Sequence, residues 1–134
     1  ALDALVDAAV SHYGQWAHGN PVMLVHIATA PRAASLVLPA LPQDLWSTTY
    51  ETAWAITAAI STIYRPTGPP PPVTTSEQKA AATPTHLIER AVDTADAHTI
   101  KFVEVAQESE RRGNPHALRA GARAAHLIAL DNDD

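Results

Sequence analysis

Apolar residues recur at helical spacing along most of this chain, and prolines and glycines cut the pattern into segments. Leu2, Leu5, Val6, Ala9, Val10, Tyr13 and Trp16 fall three or four apart, as on a helix with one apolar face, and Gly19 stands where such a helix stops. Asn20-Pro21 restarts the chain, with Asn as N-cap and Pro in the first helical position, for a helix carrying Val22, Met23, His26, Ile27 and Ala30. Pro31 is expected to end that helix or to begin a short one toward Pro39, with Leu36 and Val37 buried. A longer helix follows Pro42 to about Tyr64 and presents Trp46, Tyr50 and Trp54 four residues apart on one stripe. Residues 66–76, with a proline run from Pro69 to Pro72, read as an extended loop. Thr83-Pro84 starts a helix or helix pair lasting to about Arg112, which Gly113 stops. Asn114-Pro115 repeats the cap-and-proline start for a last helix through Leu130, ahead of a solvated acidic tail. No internal repeat and no strand pattern is present. The expected fold is all-α, an array of about five to seven helices in one domain over residues 1–134, joined by proline-marked turns.

Composition excludes several classes of function. Hydrophobic residues make up 46% and charged residues 17% of the chain, which describes a folded protein with a real core. A net charge of -5 with nine Lys and Arg lacks the basic face that nucleic acid requires. The absence of cysteine excludes disulfides, zinc fingers and thiol catalysis. The apolar stretch Pro21 to Leu41 is interrupted by His26, Pro31, Arg32 and Pro39, which argues against a membrane span. No signal peptide opens the chain, so a cytoplasmic location is expected. Entry into a helical pattern without an initiator methionine makes the chain read as a piece of something longer.

The candidate chemistry lies in Asp96-Ala97-His98-Thr99-Ile100-Lys101-Phe102. His98, Lys101 and Phe102 share one side of a helix, with Val105 a turn further on, so an amine is expected within an apolar face. Such a lysine has three outcomes: a salt bridge to Glu104 or Glu108, snorkelling to the helix edge, or modification of a deprotonated amine. His26 reads either as a core histidine bonded to a carbonyl or as a metal ligand. Trp46, Tyr50 and Trp54 read as core packing or as one wall of a pocket for a flat aromatic substrate. His12, His18, His86, His116 and His126 read as exposed or cap residues. The proline run is a spacer before it is a ligand for an SH3-like groove.

The run from Asn20 through His26 to Ala34, then Leu36 to Pro42 with Leu45-Trp46, resembles the questin oxidase-like family. The His98-Thr-Ile-Lys101-Phe102 motif and the Asn114-Pro115-His-Ala-Leu-Arg-Ala-Gly-Ala segment do so as well. The resemblance covers about Ala1 to Ile128 and implies the C-terminal portion of a longer helical oxidoreductase. Members of that family oxidise and open aromatic polyketide skeletons of the anthraquinone type with dioxygen. The resemblance implies a non-haem iron, with His26, His98 and a carboxylated Lys101 among its ligands; Asp96, two residues before His98, is the candidate acceptor that would orient that imidazole. The resemblance departs at Thr94, where relatives carry a histidine, and the family's remaining histidines belong to segments N-terminal to this chain. NADPH is the candidate reductant, although no glycine-rich dinucleotide motif is present to bind it. The expected partners are a small aromatic substrate and a missing N-terminal segment or partner chain. The alternative is a helical module with no catalysis of its own.

Overall fold

A computed structural model describes residues 1–134, and it is all helical. The helices are α1 (Leu2–Trp16), α2 (Pro21–Leu24), α3 (His26–Val37), α4 (Trp46–Tyr64), α5 (Thr75–Ala80), α6 (Pro84–Thr94), α7 (Ala97–Arg111) and α8 (Ala117–Asn132). Helices α2 and α3 run on through Val25, itself right-handed helical at φ -60° and ψ -28°, so the eight segments form seven helical units.

Local chemistry accounts for most boundaries. The Asn20 side chain accepts from Met23 N–H at 2.9 Å and Pro21 occupies the first helical position, as the cap rule requires. Thr83 caps α6 by accepting from His86 N–H at 3.2 Å. Gly113, at φ 97°, takes the left-handed conformation that ends α7, and Asn114 N–H returns to the Ser109 carbonyl. Gly19 is required for a different reason: a Cβ there would run into the Tyr64 carbonyl oxygen at the far end of α4.

The structure departs from the sequence expectation at Pro31. That residue lies inside α3, fully buried, and neither ends nor begins a helix. Proline has no N–H, so the Ile27 carbonyl one turn back loses its intrahelical partner. Thr57, buried on α4, donates its hydroxyl to that carbonyl at 3.0 Å. A tertiary contact thus repairs the helix that local rules would break. Pro21–Ala40 is in consequence a helical stretch long and apolar enough to cross a membrane, with mean hydropathy 1.4. In the fold its Arg32 is ion-paired with Glu108 of α7, and Ile27, Ala28 and Pro31 pack in the interior. Leu36 and Val37, expected to be buried, are exposed.

The main core joins α1, α2, α3, α7 and α8 around Tyr13, Leu24, Ile27, Phe102 and Ile128. The Tyr13 ring lies 4.2 Å from that of Phe102, and its hydroxyl donates to the Pro21 carbonyl at 2.9 Å. A smaller core gathers Ala80, Leu87, Ala91, Val103 and Ala122. The last helix begins at Ala117, later than its cap-and-proline signal predicts, after a turn in which His116 N–H donates at 3.0 Å to the side-chain oxygen of Asn114. The Asn114 amide donates to the Asp7 carbonyl, Ser11 Oγ and Ser109 Oγ, tying α1 to the turn between α7 and α8. Arg112 reinforces that tie with an ion pair to Asp7 at 2.6 Å. The proline-rich loop ends at Thr74, which forms a capping box with Glu77 at the start of α5.

Candidate functional site

His26 opens α3 and His98 lies in the first turn of α7, two helices packed side by side and running in the same direction. Their rings meet edge to face with centroids 5.8 Å apart. Residues far apart in sequence are thereby brought together at one end of the molecule. Asp96 is the N-cap of α7, its Oδ1 accepting from His98 N–H at 2.9 Å and Thr99 N–H at 3.0 Å. Its Oδ2 accepts from the Asn132 amide at the end of α8, and Oδ1 lies 3.7 Å from His98 Nδ1. Burial pushes the Asp96 carboxyl up, but the hydrogen bonds from Thr99, Asn132 and His98 outweigh it and hold it below the usual carboxylate range.

The same environment acts on His26. Burial, then the charges of His98 and Lys101, all push its pKa below that of a free imidazole. The neutral form is therefore favoured, and neutral imidazole is the form that ligates metals. The nearest side-chain polar atom to its Nδ1 in hydrogen-bond reach is Thr29 Oγ1 at 3.5 Å.

Lys101 departs from expectation. It is exposed and forms no ion pair, and Glu108 is paired with Arg32 instead. The buried side of α7 carries Thr99, Phe102, Val103, Val105 and Ala106, and Lys101 falls outside it. The burial that would have made the amine reactive is absent. No cluster of three or more His, Asp or Glu side chains is placed to hold a metal ion. The residues present fit a metal to the extent of two converging imidazoles, which is part of a coordination shell.

Trp46, Tyr50 and Trp54 lie outside the core. They are 41%, 36% and 55% exposed on the outer side of α4. The helix turns Ala53 and Thr57 toward α3, where small side chains permit close approach, and leaves its aromatic stripe without a partner helix. His12 stacks on Trp16 with centroids 4.3 Å apart, and His18 Nε2 meets the Gly68 carbonyl at 3.1 Å. The sequence reading missed the ion pair of Arg123 with Glu77 at 2.8 Å, whose side chains are 7% and 3% exposed. An arginine amid the alanines of the last helix was the signal for it. No protein-family model, curated protein or solved structure matches this chain.

Proposed function

We propose that this chain contributes two histidine ligands, His26 and His98, to a non-haem metal site of an oxidoreductase of the questin oxidase type. The whole enzyme would act with dioxygen on an aromatic polyketide. The observation that carries the reading is the edge-to-face approach of the two imidazoles at 5.8 Å. A bound iron would supply dioxygen activation. This chain's own residues hold the ligands: burial and neighbouring charge favour neutral His26, and Asp96 fixes the start of the helix that carries His98. Lys101 is a ligand in this reading only after a further segment covers it, since it is exposed here. The remaining ligands come from outside the chain.

A second reading is a helical module without catalysis of its own, and the unpartnered aromatic stripe of α4 favours it. Anaerobic calorimetry with Fe(II) separates the two. The first reading expects weak binding, lost in both His26→Ala and His98→Ala and retained in the His116→Ala control. Equal binding by the double variant His26→Ala/His98→Ala removes the ligand assignment. Protection of Trp46 and Trp54 fluorescence from a soluble quencher by an anthraquinone would support their role in holding substrate.

A further inference from the structure

A cavity of about 560 Å³ opens between α1, α5 and α8. It lies toward the N-terminal end of α8, whereas Asp96, the cap of the helix that carries His98, meets α8 at Asn132, nine residues beyond Arg123 and so roughly 13 Å along its axis. No residue of α3 or α7 lines it. The volume is in the range of small-molecule sites, about 300–1,000 Å³.

The lining combines small apolar residues with two guanidinium groups. Gly14, Ala120 and Ala122 form an apolar floor, with Val73 of the proline-rich loop beside them. His116, Arg119 and Arg123 follow at three- and four-residue intervals, which places them on one face of α8. Arg123 is more than nine-tenths buried, beside Glu77 at 2.8 Å. Its Nε faces the Glu77 carboxylate and its Nη1 donates to the Pro71 carbonyl at 3.0 Å, while Nη2 has no acceptor in the chain. A guanidinium carries five N–H donors, so spare donors remain in a largely desolvated group that lines a cavity. Arg119 forms no ion pair and supplies a second guanidinium at the mouth.

Charge decides what such a site accepts. Glu77 offsets Arg123, and Arg119 leaves one net positive charge in the lining of a chain whose total is -5. A monoanion is matched there, and a polyanion is repelled by Glu77 and by the rest of the molecule. A planar carboxylate suits a guanidinium fork, and the alanine and glycine floor suits a flat or short apolar body. We propose that this cavity binds a small organic carboxylate, held by Arg119 and the unused N–H groups of Arg123, with its apolar body against Gly14 and Ala120.

Titration of the full-length, isotope-labelled chain with benzoate, benzamide and inorganic phosphate, followed by amide chemical shifts, tests this. Saturable shifts at Gly14, Gln78 and Ala120 are expected with benzoate and absent with the other two probes. Arg119→Gln, at an exposed position that the fold does not depend on, is expected to weaken benzoate about tenfold or more, the loss of one charge-assisted contact. His26→Ala/His98→Ala is expected to leave benzoate binding unchanged, which separates this site from the metal reading. Equal binding of benzamide would overturn the carboxylate requirement, and equal binding of phosphate would overturn the apolar one. Unchanged affinity in Arg119→Gln, or no saturable shift at all, would overturn the site.

Discussion

Two buried threonines show how much a hydroxyl's surroundings decide its worth. Thr57 Oγ1 donates a hydrogen bond to the Ile27 carbonyl that Pro31 leaves without its usual partner, while Thr99 Oγ1 is buried with no partner. Thr57→Val strands a buried carbonyl and is expected to cost about 1–3 kcal/mol. Thr99→Val removes an unsatisfied polar atom at nearly constant shape and is expected to be neutral or stabilising. Urea unfolding of the two variants reads opposite shifts in midpoint. His26 gives a pH signature. Its folded pKa is depressed below 6.5, so the folded metal-free protein binds fewer protons than the unfolded chain just below that value. The stability it contributes is present above 6.5 and is lost as pH falls through the folded value. His26→Gln should flatten that part of the stability-pH curve, and an unchanged slope would contradict the burial of the imidazole.

At the scale of elements, what was legible were the features written in neighbouring residues. Asn20-Pro21, Thr83-Pro84 and Gly113 act within a turn of themselves, and each does what its local chemistry dictates. Pro31 was misread because the hydroxyl that rescues its helix sits on α4, beyond the reach of any local pattern. Lys101 was misread because a three-residue interval shows that two side chains are neighbours without saying on which side of the helix the core lies. The convergence of His26 and His98 depends on how α3 packs against α7, which no spacing within either segment encodes. Size misled at α4: its bulkiest residues face out, and Ala53 and Thr57 make the contact. That stripe has a testable cost. A chain with Trp46, Tyr50, Trp54 and Ile63 exposed should self-associate as concentration rises. Trp54→Glu should reduce association in sedimentation velocity while leaving the thermal midpoint within about 0.5 kcal/mol equivalent, as surface changes do.

At the scale of the whole molecule, the chain's two ends are joined by side chains that are more than a hundred residues apart. Asp7 and Ser11 meet Asn114, and Asp7 meets Arg112. During synthesis α1 precedes α7 and α8, and its ties to the turn after α7 wait until that turn has emerged. Contacts of such long separation carry a large closure entropy and form late. Until then the side of α1 that faces α7 and α8 lacks its cover, although Val6, Val10 and Tyr13 are fully buried once folding ends. In refolding from denaturant, pulse-labelled hydrogen exchange should show α1 gaining protection no earlier than the α7–α8 hairpin, and earlier protection would refute this order. The same tie makes Asn114 a timer: α1 is made before α7 and α8 and locked to them late, and its exposed side in the interval is where a binding chaperone would find this protein.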